Sequence, residues 1–219
     1  YAIGLCLVGS EMCIRDSFNS NYQYPLVIGV AGSLGWHDHN YEYMQMYRDM
    51  GIATFELKSF SSRDVTSTVG SQIEVTMASM ILDAYKALDI LSDNKNINKD
   101  NVAITGWSLG GGVALFSGWN NLIEAISPNN NFAAHLPIYP PCFVKAESMN
   151  FTDAPIHILI GEYDDWTPAL ACEELVDSLK DNKNNINITV YDESHHGFDS
   201  DRPYKLSLIH ISEPTRQSP

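Results

Sequence analysis

The chain has 219 residues, a formal net charge of −14 at pH 7 and 44% hydrophobic residues. This length suits one domain with a substantial core, and the acidic balance argues against nucleic acid or an anionic membrane as a partner. No run of residues is long and apolar enough to span a bilayer, so no membrane span is predicted.

The two ends of the chain are related through DNA. Leu7–Ser17 and Leu206–Arg216 can be translated from opposite strands of one duplex, as a transposase-type sequencing adapter read by mistake would be. Such segments are excluded from fold reasoning. We therefore expect residues 1–17 and 206–219 to be artefacts and residues 18–205 to be one domain truncated at both ends. On this expectation the true N-terminus and C-terminus are missing, so targeting cannot be read from the sequence.

Strands and helices alternate along the remaining chain. Apolar runs predict buried strands over residues 25–31, 102–105 and 155–160. Further strands are predicted over residues 52–57, 132–138 and 186–191. Helical spacing or helix-compatible composition predicts helices over residues 41–50, 71–91 and 113–119, and Thr167-Pro168 opens another. The alternation predicts an α/β fold whose sheet is mainly parallel and flanked by helices.

Local signals predict where these helices begin and end. Gly51 should close the first helix, and Ser71 with Glu74 forms a capping box for the second. The apolar stripe of the second helix starts at Ile73 and should lie in the core. Residues 120–131 are polar and turn-rich, so they predict a loop. In the last helix the predicted apolar stripe is formed by Leu170, Leu175, Val176 and Leu179.

The segment from Gly106 to Gly110 reads Gly-Trp-Ser-Leu-Gly and fits the pattern G-x-S-x-G. It follows a predicted strand and precedes a predicted helix, which is the context that a nucleophile elbow requires. The sharp turn needs small residues two positions on either side of the serine. Ser108 is therefore a candidate nucleophile, although a serine that merely caps the helix would fit the same pentapeptide.

Acidic residues and histidines follow two later strands. Asp164 and Asp165 come after one strand, and His195 and His196 come after the last. Ligands of open α/β sheets gather at the carboxyl ends of the strands. A serine needs a base, and the base needs a carboxylate. The order serine, acid, histidine is that of α/β-hydrolases and strengthens the case for Ser108.

These stretches together resemble the dienelactone hydrolase family of the α/β-hydrolase superfamily. The resemblance covers most of residues 24–199 and is carried by five stretches: Tyr24-Pro25-Leu26-Val27-Ile28, Gly106-Trp107-Ser108-Leu109-Gly110-Gly111, Tyr139-Pro140-Pro141-Cys142, residues 161–168 (GEYDDWTP), and residues 191–198 (YDESHHGF). It implies an α/β-hydrolase fold with Asp164 as the acid, Asp165 being the alternative. It implies His196 as the base, since His196-Gly197-Phe198 fits the family pattern.

The oxyanion hole needs two backbone donors. The amide of Leu109 is one, and the first loop should supply the other near Ser33, although related proteins often begin that loop with His-Gly where this chain has Ala31-Gly32. The familiar dienelactone hydrolases use a cysteine nucleophile, and the serine here favours a plainer carboxylic ester over a dienelactone.

Other residues are open to two interpretations. Arg63 could grip a substrate carboxylate or brace its loop. Aromatic residues near strand ends could line an apolar substrate slot or pack the elbow: Trp36, Trp107, Tyr139, Trp166 and Phe198. Cys142 and Cys172 could form a disulfide or remain thiols. His135 and His157 are expected to be core histidines. The loop histidines match no known zinc spacing, so no metal site is predicted.

The sequence thus predicts a serine hydrolase that cleaves a small-molecule ester or lactone through an acyl-enzyme and needs no cofactor. Two alternatives use the same fold. An acyltransferase would pass the acyl group from the same triad to an alcohol or amine. A non-catalytic binding protein would keep the elbow and lose the triad geometry.

Overall fold

In a computed structural model of the protein, the described residues are 12–13, 22–144, 149–179 and 185–201. They form one sheet in the order β1-β3-β2-β4-β5-β6-β7. Strands β2 to β7 run parallel, and β1 pairs antiparallel with β3. The strands are β1 Met12–Cys13, β2 Tyr24–Val30, β3 Ala53–Leu57, β4 Ile97–Trp107, β5 Ala134–Ile138, β6 Ile156–Gly161 and β7 Ile186–Tyr191.

Five α-helices flank this sheet within the described ranges, which confirms the predicted α/β architecture. They are α1 Asp38–Asp49, α2 Met77–Ser92, α3 Leu109–Phe116, α4 Asn120–Ile126 and α5 Ala169–Leu179. Apart from β1, the segments 1–17 and 206–219 lie outside the described residues, so their assignment to adapter DNA stays a prediction. None of the helices in the described part of the chain is long and apolar enough to cross a membrane.

The central strands are buried on both faces because helices cover both sides of the sheet. All five residues of β3 and the last five of β2 are buried. This double burial explains why β2 is a continuous apolar run after Pro25 rather than an alternating pattern. Helix α3 is buried along its whole length, and it holds the start of the elbow against the core.

Three helices begin three or more residues away from their predicted starts. Helix α3 spans Leu109–Phe116 instead of residues 113–119, because it starts directly after Ser108. Helix α1 starts three residues early, because the His37 side chain and Asn40 form a capping box. Its predicted end at Gly51 is confirmed, since this glycine has a φ of +81°. For α2 the predicted box at Ser71 is wrong. Thr76 and Ser79 form an equivalent box five residues later, and Ile73 is 85% exposed.

Three further expectations are corrected. Residues 120–126 form α4 instead of a loop, because the helix packs partly buried apolar side chains against the core. Leu170 is 65% exposed and does not belong to the buried stripe of α5, where Cys172 takes its place. His157 is exposed and lies beside the Thr189 hydroxyl. His135, by contrast, is a core histidine as predicted.

Candidate active site

Ser108 occupies the sharp turn between β4 and α3. Its φ of 55° lies in the left-handed region, which is unusual for a residue other than glycine. A Cβ at Gly106 would collide with the carbonyl oxygen of Gly110, and a Cβ at Gly110 would collide with that of Val30. The Ser108 side chain makes no capping hydrogen bond to the helix. The interpretation of this serine as a simple helix cap is therefore not supported, and its hydroxyl is available for another partner.

That partner is His196, which lies in the loop after β7. The Nε2 atom of His196 is 3.0 Å from the Ser108 hydroxyl, and its Nδ1 atom is 2.8 Å from Oδ2 of Asp164. The three predicted side chains thus form one chain of hydrogen bonds, although they stem from the ends of β4, β6 and β7. Asp164, and not its neighbour Asp165, makes this contact with the histidine.

The Asp164 carboxylate accepts several hydrogen bonds from the loop that carries it. Its Oδ1 accepts hydrogen bonds from the backbone amides of Trp166 and Thr167, at 2.9 and 2.8 Å. The hydroxyl of Thr167 lies 2.9 Å from Oδ2 and 3.1 Å from Nδ1 of His196. Sequence reasoning treated Thr167 only as a helix cap, because nothing in the pattern Thr-Pro indicates that its hydroxyl reaches the acid.

The carboxylate determines which ring nitrogen carries the proton. An ionised carboxylate can only accept, so Nδ1 of His196 donates to Asp164 and Nε2 is left to accept the proton of the Ser108 hydroxyl. Asp164 is buried and His196 is partly buried. This arrangement can deprotonate a serine as it attacks a carbonyl carbon and can hold the imidazolium that results.

The first loop lies directly against the nucleophile. A Cβ on Gly32 would be 3.1 Å from the Trp107 carbonyl oxygen and 3.3 Å from the Cβ of Ser108, so only glycine fits there without displacement. The amide of Gly35 donates to the carbonyl of Gly32, which closes a tight turn around Ser33. The carbonyl of Ser33 is fixed by the amide of Thr68 at 2.9 Å and the Ser67 hydroxyl at 3.1 Å.

Tyr139 follows β5 and is strained, with a φ of 37°. Its ring centroid lies 4.6 Å from that of His196, and its backbone carbonyl accepts a hydrogen bond from the Thr167 hydroxyl at 3.1 Å. Burial, followed by the Asp199 carboxylate, raises the pKa of Tyr139, so its hydroxyl stays protonated. A bulky residue in the left-handed region persists only where its surroundings fix it, and here it supports the face of the histidine.

A profile of the dienelactone hydrolase family matches residues 45–213, more than half of the chain. The chain belongs to the dienelactone hydrolase family. The match includes the Ser108, Asp164 and His196 positions and starts within α1. A search of curated protein sequences gave no significant match.

Solved structures agree on the fold. A protein from Klebsiella pneumoniae subsp. pneumoniae MGH 78578, described as a dienelactone hydrolase, shares 18% identity at a TM-score of 0.70, over 86% of this chain and 81% of its own. Esterase 2 from Thermogutta terrifontis in its apo form shares 12% identity at a TM-score of 0.68, over 86% and 80%. The propionate-bound form of the same esterase shares 13% identity at a TM-score of 0.69, over 86% of this chain and 79% of its own.

Within this family fold, Arg63 does not point to an open site. Its guanidinium makes a bidentate pair with the buried carboxylate of Asp83 on α2, at 2.7 and 2.9 Å, and donates to the Ser59 carbonyl at 2.9 Å. These contacts favour the interpretation that Arg63 braces the loop after β3 over its role as a substrate contact.

The aromatic candidates differ in where they lie: some pack in the interior beside the elbow, and Trp166 lies at the surface next to His196. Trp107 is buried beneath the elbow and contacts Trp36 and Tyr43 in edge-to-face geometry. Trp166 is 39% exposed and stacks on His196 with centroids 5.9 Å apart, so it flanks the open side of the triad. Phe198 packs against Tyr139 and Tyr191.

A cavity of about 420 Å³ adjoins the first loop on the side of β3. It is lined mainly by apolar and aromatic side chains, including Leu34, Trp36, Tyr41, Phe60 and Met80. No triad side chain lines it, but Ala31 and Gly35 of the first loop do. The cavity therefore lies next to the proposed oxyanion loop rather than over the nucleophile.

Two remaining questions concern the cysteines and metal binding. Cys142 and Cys172 form a disulfide that links the segment after Tyr139 to α5, so the alternative of two free thiols is not observed.

The loop histidines make local contacts, since His37 caps α1 and His39 contacts Asn40. Among the described residues there is no cluster of three or more histidine, cysteine or acidic side chains that could hold a metal ion.

Proposed function

We propose that the protein is a serine hydrolase that cleaves small carboxylic esters through an acyl-enzyme. The observation that carries this proposal is the continuous contact from Ser108 through His196 to Asp164, at 3.0 and 2.8 Å. Family membership supports ester or lactone hydrolysis as the reaction class. That esterase 2 from T. terrifontis has been solved phosphorylated by paraoxon and with propionate bound is consistent with small esters as substrates.

In the first half of the reaction, Nε2 of His196 accepts the Ser108 proton while Oγ attacks the ester carbonyl carbon. The charge on the carbonyl oxygen is held by the backbone amides of Leu109 and Ser33. Leu109 is suited to this because the first amides of a helix have no partner within the helix. His196 then protonates the departing alcohol, and Ser108 remains acylated.

In the second half, His196 deprotonates a water molecule that attacks the acyl carbon, and Ser108 leaves with the proton. Asp164 keeps the imidazole in one tautomer and stabilises its protonated form through both steps. The chemistry needs no cofactor, because the nucleophile, base and oxyanion donors all belong to the chain.

The test uses p-nitrophenyl acetate and butyrate with wild-type protein and Ser108→Ala. We expect turnover to fall on the order of a million-fold in the variant, with an unchanged circular dichroism spectrum and melting temperature. A fluorophosphonate probe should label the wild type at Ser108 and leave the variant unlabelled. Labelling without turnover of esters would indicate another acyl acceptor, whereas no labelling of the folded wild type would contradict the proposal.

A further inference from the structure

The three triad residues follow three strands of the sheet: Ser108 follows β4, Asp164 follows β6 and His196 follows β7. Of these strands, β7 lies farthest from β4 in the sheet. Strand β7 lies three places from β4, and neighbouring strands are about 4.8 Å apart, so their ends are separated by about 14 Å. The loop after β7 must therefore cross the ends of β6 and β5 for His196 to reach Ser108. Something has to hold this loop in place over that distance.

Asp199, three residues after His196, makes two contacts that do so. Its Oδ2 accepts a hydrogen bond from the indole Nε1 of Trp107 at 3.0 Å, and its Oδ1 accepts one from the Tyr139 hydroxyl at 2.9 Å. Trp107 is the last residue of β4 and directly precedes Ser108. Tyr139 follows β5 and carries the ring that supports His196. One carboxylate thus ties the histidine loop to both neighbouring strand ends.

The contacts of Asp199 are made to buried donors. Trp107 is 2% exposed and Tyr139 is 3% exposed, and buried indole and phenol groups need a hydrogen-bond partner. Burial, with the Asp199 carboxylate as the next cause, raises the pKa of Tyr43 to about 12. This tyrosine lies in edge contact with Trp107, so Tyr43, Trp107 and the Asp199 carboxylate lie close together beside the elbow.

We propose that Asp199 is a positioning residue, which fixes His196 at hydrogen-bonding distance from Ser108 by anchoring the loop after β7 to Trp107 and Tyr139. The inference rests on the proposed hydrolase function. Among the described residues, no hydrogen bond joins Asp199 to Ser108, Asp164 or His196. Its effect is therefore expected in the rate of the chemical step and not in substrate binding.

The test compares Asp199→Ala with Asp201→Ala. Asp201 lies on the same segment, is exposed and carries the same charge, so it is a matched control. With p-nitrophenyl butyrate, Asp199→Ala should lower kcat about 10- to 100-fold, since a displacement of about 1 Å costs up to about a hundredfold. Its KM should stay within about twofold, and Asp201→Ala should leave both constants unchanged.

Two further measurements separate positioning from a general loss of structure. The low-field proton NMR signal of Nδ1–H of His196, bonded to Asp164, should broaden or vanish in Asp199→Ala and persist in Asp201→Ala. Adding Tyr139→Phe to Asp199→Ala should slow turnover little further, because both changes break the same hydrogen bond.

If Asp199→Ala does not fold, Asp199→Leu and Tyr139→Phe decide, since both keep a side chain of similar size and neither can form the hydrogen bond between the Tyr139 hydroxyl and the carboxylate. A folded Asp199 variant with wild-type kcat and an unchanged His196 signal would overturn the proposal. Failure of the hydrolase function would look different, since the wild type itself would then neither turn over esters nor react with the fluorophosphonate.

Discussion

The hydroxyl of Thr167 lies 2.9 Å from Oδ2 of Asp164, the same carboxylate oxygen that accepts the hydrogen bond from His196. It also lies 3.1 Å from the backbone carbonyl oxygen of Tyr139. The hydroxyl has a single proton within reach of both acceptors, which it shares between the carboxylate and the strand end beside the histidine. This residue begins the turn into α5, so the start of that helix and the orientation of the acid are coupled.

Replacing this hydroxyl should weaken the triad without abolishing it. We expect Thr167→Val to lower kcat by up to about tenfold and to destabilise the fold by about 1–3 kcal/mol, because a buried hydrogen bond to a charged group is lost. The two backbone amides still orient the carboxylate. Thr167→Ser keeps the hydroxyl and is the matched control. Equal kcat values for the valine variant and the wild type, measured on p-nitrophenyl butyrate, would contradict a role in orienting Asp164.

The Leu109 amide can be removed without removing a helix hydrogen bond. Leu109 is the first residue of α3, where proline is tolerated since the amide there has no partner within the helix. Leu109→Pro should lower kcat about a hundred- to thousandfold, the usual cost of one oxyanion donor. Leu109→Ala loses the same buried side chain but keeps the amide, so it should be far more active. Similar kcat values for the two variants would argue against this donor.

The pair of Arg63 and Asp83 makes a prediction about stability. The Asp83 side chain is 1% exposed and that of Arg63 is 27% exposed. Arg63→Ala leaves a buried carboxylate without its counter-ion and should lower the free energy of unfolding by about 3–5 kcal/mol, whereas Arg63→Met combined with Asp83→Leu should cost much less. Urea unfolding of the wild type, Arg63→Ala and the double variant measures these free energies of unfolding.

The same variants test the alternative role of Arg63. If it only braces the loop, the KM for a neutral ester and for an ester with a carboxylate on its acid part should both stay within about twofold in the double variant. A selective tenfold rise in KM for the charged ester would instead show that the guanidinium contacts substrate.

His135 predicts how stability depends on pH. Burial lowers its pKa to about 4, against a hydrogen bond to the Ala114 carbonyl that acts in the opposite direction. Because the unfolded chain binds this proton more readily, the folded state is favoured above about pH 6.5 and loses this advantage as the pH falls toward 4. The loss is on the order of 3 kcal/mol.

Urea unfolding at several pH values between about 7 and 4 checks this. Since carboxylates also titrate there, the comparison is with His135→Asn, whose free energy of unfolding should fall less steeply over the same range. Parallel curves for the two proteins would show that His135 is protonated as easily in the folded state as in the unfolded one.

Much of the site could be predicted from the sequence because its signals are local. The elbow needs small residues around Ser108, and the acid and base come at the ends of apolar runs, so their order along the chain was readable. The start of α2 was not, since Ser71–Glu74 fits the usual capping-box pattern, whereas the observed box uses Ser79 where that pattern has Glu or Gln. Ile73 was misplaced for the same reason.

What the sequence predicted by itself is the strand–helix alternation and the candidates for the site, namely Ser108 in the elbow, Asp164 or Asp165 after one strand, and His195 or His196 after another. Periodicity, turn chemistry and residue type are properties of neighbouring residues, so they can be read without the fold. Only the tertiary structure decided which side chains meet across the strand ends. It places Asp164 rather than Asp165 on His196 and pairs Arg63 with Asp83. It also brings Thr167 to Asp164, and Asp199 to Trp107 and Tyr139. Such contacts depend on strand order and on the path of loops between distant parts of the chain, and neither is encoded in any local pattern.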